Sequence, residues 1–198
     1  MLDMNERLYK QINFMLELDK MKNLYRQTYV LHEDRKENDA EHSWHLAVMA
    51  LLLSEYADKE IDTVKVMKMV LLHDIVEIDA GDTYCYDSEG NSTKAEREEN
   101  AAQRIFGLLP DDQKDIFYGL WREFEDCKTN EARFAAVLDR LQPLMLNYTK
   151  KGISWKEHDI YKEQVMNRNK DYFGESEELA KLIKSVIDDA ASKGWLKI

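Results

Sequence analysis

The stretch LLHDIVEIDAGD, Leu71–Asp82, decides how this chain is read. It sets an imidazole and a carboxylate side by side, His73 and Asp74, at the end of an apolar run. A second carboxylate, Glu77, follows one helical turn later. Read back to Thr63, the segment is TVKVMKMVLLHDIVEI. Val66, Met69, Val70 and His73 fall on one face at helical spacing, and Glu77 continues that face. The pattern predicts a helix capped by Asp62 or Thr63 and stopped at Gly81. An ionisable pair at the end of an apolar helix is costly to bury without a partner, and a cation is one such partner. Neighbouring helical residues point about 100° apart, so His73 and Asp74 can share one ion only if it sits between their directions at close range.

Outward from this stretch the chain reads as a succession of helices. Leu8, Ile12, Phe14, Met15, Leu16 and Leu18 mark the first, extending toward Met21, and Asn23–Asn38 reads as a charged connector. A second helix starts at Asn38 or Asp39, either of which suits a cap. It carries His42, Trp44, His45, Leu46, Val48, Met49, Leu52 and Leu53, apolar around much of its circumference, and is expected at the centre. GDTYCYDSEGNS, Gly81–Ser92, is the longest turn-rich stretch and reads as a mobile loop beside the end of the third helix. A helix over Thr93–Leu109 stops before Pro110, and the next begins there with Asp111 and Asp112 near its positive end. Thr129 caps a helix through Asn147 that Pro143 is expected to kink. Ser154 caps a segment through Asn169, and an amphipathic helix from Ser176 follows. With no repeat, no linker and no comparable strand pattern, the expectation is an all-α fold in a single domain over residues 1–198.

Composition agrees. Hydrophobic residues make up 44% of the chain and charged residues 34%, as in soluble globular proteins. Two prolines and seven glycines leave few helix breakers. A net charge of −11 argues against a protein that tracks a phosphate backbone, so no nucleic-acid polymer is expected as a partner. A small phosphorylated substrate remains compatible, because a bound metal supplies local positive charge. Cys85 and Cys127 form neither a metal knuckle nor a disulfide framework. MLDMNERLYKQ holds no apolar signal core, and the longest apolar run, Leu46–Leu53, is too short to span a bilayer. A cytoplasmic location without membrane contact is expected.

Three distant segments supply a possible ligand set: His42, the His73–Asp74 pair and Asp139. Two imidazoles and two carboxylates suit a divalent transition metal. Singly, each has a plainer reading as a packed or solvated side chain. In this order, with AEHSWH around His42, LLHDIVEIDAGD around His73 and VLDRLQP around Asp139, the sequence resembles the HD-domain metal-dependent phosphohydrolases. HDIVEIDAGD and the later KAEREENAAQRIFGLLPDDQKDIF are similar to the branch containing bacterial 5′-deoxynucleotidases. The resemblance covers Arg26 to Lys150.

That resemblance implies a helical bundle with a central metal held by His42, His73, Asp74 and Asp139, leaving His45 a packing role. No histidine lies between His73 and Asp139, where dinuclear relatives usually recruit more, so one ion is expected. Mixed nitrogen and oxygen ligation favours manganese, cobalt, iron, nickel or zinc over magnesium. The resemblance gives Glu77 the handling of protons, whether water activation or leaving-group protonation. It gives Asp82 a contact with the sugar or the catalytic water, against the plainer reading of a turn-forming aspartate. Arg26 is the phosphate-binding arginine by position, with Arg35 as competitor. Lys94 is a weaker candidate for the phosphate, with a surface lysine as the alternative. Arg140 follows a ligand and so points elsewhere, toward a salt bridge. One departure stands out: the deoxynucleotidase branch follows its phosphate arginine with a tryptophan associated with rejecting ribose, and here Gln27 follows Arg26. Selectivity for 2′-deoxy substrates is therefore not implied.

The expected activity is hydrolysis of a small phosphomonoester, a (deoxy)nucleoside 5′-monophosphate, by a homodimer. Rival readings are a (p)ppGpp hydrolase, which typically carries Glu-Asp where this chain has Glu77-Ile78-Asp79, and a nucleoside triphosphate hydrolase. A non-catalytic metal-stabilised nucleotide binder would have no need of Glu77 and Asp82. A helical interaction module would use the last amphipathic helix.

Overall fold

Capping chemistry fixes where the helices begin. Asn5 accepts the Leu8 amide and starts α1, Glu6–Glu17, after which the chain tightens into a 3₁₀ turn over Leu18–Asn23. Asn38 and Glu41 form a reciprocal capping box at the head of α2, Asp39–Leu53. Asp62 accepts the Val64 and Lys65 amides and starts α3, Thr63–Leu72. There follow α4 (Glu77–Ala80), α5 (Lys94–Phe106), α6 (Asp111–Asp126), α7 (Asn130–Thr149), α8 (Ile153–Glu157), α9 (Lys162–Lys170) and α10 (Glu177–Ser192). Thr129 and Ser176 cap α7 and α10. This computed structural model describes residues 5–87, 90 and 92–198. Residues 88, 89 and 91 of the expected loop lie outside the described residues.

Among the described residues the architecture is all-α apart from one hairpin and an isolated bridge between Tyr161 and Lys197, and three sequence expectations need correction. The connector between Asn23 and Asn38 contains two strands, β1 (Tyr25–Tyr29) and β2 (Lys36–Asn38). They pair antiparallel with Tyr25 opposite Asn38 and Tyr29 opposite Lys36. Strands this short and polar give no alternation to read; Thr28 and Glu37 are their buried members. The third helix is not continuous to Gly81. It ends at Leu72, His73–Val76 wind as a 3₁₀ turn, and α4 stops at Gly81, whose φ of 76° suits glycine. Ser154 lies inside α8 and does not cap it. The chain then breaks before α9 at Asp159, which has φ 56°. The C-terminal tail covers that break, the Lys162 amide donating to Lys197 at 2.7 Å and the Lys197 amide to Ile160 at 2.9 Å. α7 continues through Pro143.

Two apolar clusters form the interior. One joins Leu46 of α2, Val66 and Met69 of α3, Leu138 and Leu141 of α7 and Ile187 of α10. The other joins Phe14 of α1, Ile75 of the 3₁₀ turn, Phe106 of α5 and Trp121 of α6. Leu120 packs against both. Among the described residues no helix is long and apolar enough to cross a membrane.

Candidate active site

The change of winding after α3 turns His73 and Asp74 toward a point that α2 reaches with His42 and α7 with Asp139. His42 Nε2 lies 3.2 Å from Asp139 Oδ1 and 3.8 Å from Asp74 Oδ2. His73 Nε2 lies 3.1 Å from Asp74 Oδ1 and 3.6 Å from Asp139 Oδ1. His42, His73 and Asp74 are buried and Asp139 is half-buried.

The placement of protons shows what this point requires. The His73 Nδ1–H donates to the Val70 carbonyl at 2.9 Å. That leaves Nε2 with a lone pair, buried and, among the described residues, without a hydrogen-bond partner. Gln142 Nε2 donates to Glu37 at 2.5 Å, which turns the amide oxygen toward His42 Nδ1 at 3.1 Å. The network thus assigns the His42 proton to Nδ1 as well and presents its Nε2 lone pair to Asp139. Imidazole lone pairs and carboxylates facing one another at these distances need a cation between them. The donor set, with the partnerless Nε2 atom, fits a divalent transition ion. The electrostatics express the same demand. Burial opposes a charge on His73, but Asp74 and Asp139 outweigh it and hold the ring's proton affinity well above the usual imidazole range. Asp139, despite burial, is held well below the carboxylate range by the two imidazoles.

A second group of carboxylates adjoins the first. Oxygens of Asp39, Asp74 and Glu77 lie within 4.8 Å of one another. Arg26, delivered by β1, lies across them with Nη1 2.6 Å from Asp74 and 3.2 Å from Asp39. Glu77 is buried, with Oε2 lacking a partner among the described residues; burial, then Asp74 and Asp39, push its carboxyl well above the usual range. Burial and the neighbouring Asp74 push Asp39 up to about 7.

Asp82 and Lys94 line the pocket above this centre. Burial raises the Asp82 carboxyl, and its segment is braced by Arg97, which donates to the Ala80 carbonyl and, at 2.8 Å, to the Thr83 hydroxyl. Lys94 Nζ lies 3.3 Å from Glu98. Arg35 is not brought in: it clamps Glu41 and Glu33 on the surface. His45 bonds Gln142 at 3.2 Å. Among the described residues Arg140 forms no salt bridge; it stacks 3.9 Å over the Tyr172 ring and bonds its hydroxyl.

Sequence reasoning missed Glu37, Asp39 as a site carboxylate, Gln142 and Arg97. Gln142 alone left a signal, three residues after Asp139 and therefore on its face of the helix.

Comparison with known proteins follows the same line. Residues 18–180 match the family described as the HD domain. The 5′-deoxynucleotidase HDDC2 of Dictyostelium discoideum is 33% identical over 135 residues, which span 65% of this chain and 71% of that protein. Its Homo sapiens counterpart is 32% identical over 111 residues, 56% of this chain and 53% of that one. The crystal structure of a predicted metal-dependent phosphohydrolase from Magnetospirillum magnetotacticum MS-1 superposes with a TM-score of 0.92 at 45% identity, covering 98% of this chain and 100% of that chain. An HD-domain phosphohydrolase from Listeria innocua, 18% identical with a TM-score of 0.69 over 92% of this chain and 90% of its own, shares the fold.

Proposed function

Because the chain belongs to the HD-domain family, we propose that it is a metal-dependent phosphohydrolase that removes phosphate from (deoxy)nucleoside 5′-monophosphates. The observation that carries this reading is the partnerless His73 Nε2, facing Asp74 and Asp139 beside a pocket that also holds Arg26 and Lys94. His42, His73, Asp74 and Asp139 would hold one divalent ion: manganese, cobalt, iron, nickel or zinc. When bound, such an ion neutralises phosphate charge and lowers the pKa of a coordinated water.

The remaining work falls to side chains. Arg26 exchanges part of its contact with Asp39 and Asp74 for phosphoryl oxygens, which its planar fork fits in pairs. Lys94 adds a second positive charge from α5. Glu77, buried beside Asp74, exchanges a proton with the attacking water or the leaving oxygen. Asp82 orients the sugar or the water. Gln27 lines the same pocket and is engaged by Lys36 and, at 3.2 Å, by His158; an amide here gives no ring to exclude a 2′-hydroxyl, so ribo- and deoxyribonucleotides both belong in the test.

Against the (p)ppGpp reading, Asp79 is engaged by Arg104 at 2.8 Å and is not among the pocket residues. A homodimer is supported by α2, whose outer face leaves Trp44 65% and Leu52 64% exposed beside the exposed Leu51. A single domain is supported by Leu120, which bridges the two apolar clusters.

The test is phosphate release from a panel of ribo- and deoxyribonucleoside monophosphates by protein loaded with manganese or cobalt. Turnover of at least one is expected. A metal-loaded protein that turns over none ends the hydrolase reading.

A further inference from the structure

Two arginines of α5 converge on the shortest helix in the site. α4, Glu77–Ala80, is a single turn and packs chiefly against α5. A helix this short does not hold itself. Fixing a first turn costs more than its backbone bonding returns, and its last carbonyls have no partner within it. Its place is therefore set by what grips it from outside. Yet it carries Glu77 into the pocket wall, and the turn at Gly81 that ends it hands the chain to Asp82, which lines the same pocket. The two carboxylates assigned above to the proton and to the sugar or water thus flank an element that needs an anchor.

Arg97 and Arg104, two turns apart on one face of α5, supply it. Arg97 is half-buried and donates from Nη1 to the Ala80 carbonyl, the last of α4. Its Nη2 donates to the Thr83 hydroxyl at 2.8 Å and the Gly90 carbonyl at 3.1 Å, and its Nε to the Thr93 hydroxyl at 3.3 Å. One planar guanidinium thus bonds the chain on both sides of Asp82 and ties it to the start of α5. Arg104 grips α4 from the other side. Asp79 lies two positions after Glu77, about 200° around the helix, and so faces away from Glu77. Arg104 Nη2 lies 2.8 Å from Asp79 Oδ1 with Nε on the other oxygen, and it also takes Glu17 at 2.6 Å.

The two grips differ in weight. The side chains of Arg104 and Asp79 are 44% and 35% exposed, so water competes for their pair. The Arg97 bonds to Ala80, Thr83 and Gly90 are part-buried, where water competes less. Neither arginine is among the residues lining the pocket. We infer that Arg97 is a positioning residue, with Arg104 as its lesser partner. It holds α4 and the Gly81–Thr83 turn so that Glu77 and Asp82 face the reacting group. This rests on the hydrolase reading above and extends it to residues outside the pocket. Arg26, Lys94 and the four ligand residues lie off the clamped segment, so phosphate capture and metal binding do not depend on it.

The test is phosphate release by manganese-loaded Arg97→Met from the panel of ribo- and deoxyribonucleoside 5′-monophosphates. Manganese affinity and amide hydrogen exchange by mass spectrometry are measured on the same protein. kcat should fall about 10²-fold while KM moves less than about threefold. Arg97→Lys, which keeps the charge and loses the planar fork, should recover part of that loss. Arg104→Met should lower kcat by less than Arg97→Met. Exchange in Arg97→Met should rise over 77–83 and stay at the unsubstituted level along α2 and α7, with manganese affinity unchanged. An Arg97→Met protein with undiminished kcat overturns the proposal. So does a fall in kcat that comes with lost manganese or with exchange raised throughout, which would make Arg97 a residue of the fold alone. If the unsubstituted protein turns over no monophosphate, the hydrolase reading falls and the anchor is judged by exchange: a rise confined to 77–83 keeps it, and no rise ends it.

Discussion

Asp74 and Glu77, three positions apart, meet the same buried cavity yet carry separable roles. Asp74 faces both imidazoles and Arg26, whereas Glu77 has an oxygen with no partner. Asp74→Ala should lose bound metal and activity together. Glu77→Ala should retain metal, by elemental analysis of the purified protein, while kcat falls about 10²- to 10⁴-fold. Metal loss from Glu77→Ala would remove its separate proton-handling role. These residues were legible because ligand chemistry confines itself to few residue types and a helix fixes their spacing: His73, Asp74 and Glu77 announce themselves within five positions. Glu37 and Asp39 were not, since a polar residue in a short strand or at a helix head has an ordinary explanation in sequence, and the spacing of Gln142 from Asp139 gives its face of the helix but not its partners. Only the fold discloses that Gln142 joins Glu37 to His42, residues about a hundred positions away.

At the scale of elements, long helices were readable from their apolar periodicity and caps, and α2, α3, α5, α6, α7 and α10 begin within a residue or two of where those signals place them. The hairpin and the 3₁₀ turn were not, because neither depends on a repeating pattern. The hairpin is held by its pairing and by what covers it, and the turn keeps a helical sequence while changing its winding. The capping box at the head of α2 serves two purposes: it starts the helix that bears His42, and it lies where β2 hands over to Asp39. Asn38→Ala should lower unfolding free energy by about 1 kcal/mol. Urea melts at fixed pH measure it, and a change indistinguishable from zero would show that packing of α2 makes the cap redundant.

Across the whole molecule, distant segments are tied by buried charge. Glu175, ahead of α10, takes Arg133 of α7 at 2.5 Å and Lys59 at 3.0 Å, while its backbone carbonyl receives the Asp58 amide. Burial opposes ionisation of Glu175, but Arg133 and Lys59 prevail and its carboxyl sits below the usual range. The free chain's glutamate titrates near about 4.3. The contribution to stability is therefore complete above that value and disappears as pH falls through the lowered folded value. Glu175→Gln should cost about 2 kcal/mol at pH 7 and progressively less in acid; a penalty that stays constant from pH 7 to pH 3 would contradict this account. On the opposite scale of contact, replacing Leu51 and Leu52 with lysine should convert the proposed dimer to a monomer in sedimentation velocity; an unchanged dimer would move the interface off α2, and an unsubstituted protein that sediments as a monomer would end the dimer reading.

The seam between the two apolar clusters has a further consequence. His73 and Asp74 lie beside Ile75 and Val76 of one cluster, while His42 and Asp139 ride on helices of the other. An ion gripped there would act as a rivet as well as a reagent. At a hundred times its dissociation constant, it should raise the unfolding free energy by about 2.7 kcal/mol. Chelation should speed amide hydrogen exchange first around the 3₁₀ turn and the middle of α7, leaving α10 protected, and exchange that rises evenly along the chain would refute the rivet. A variant that gives up a ligand would then forfeit cohesion along with catalysis.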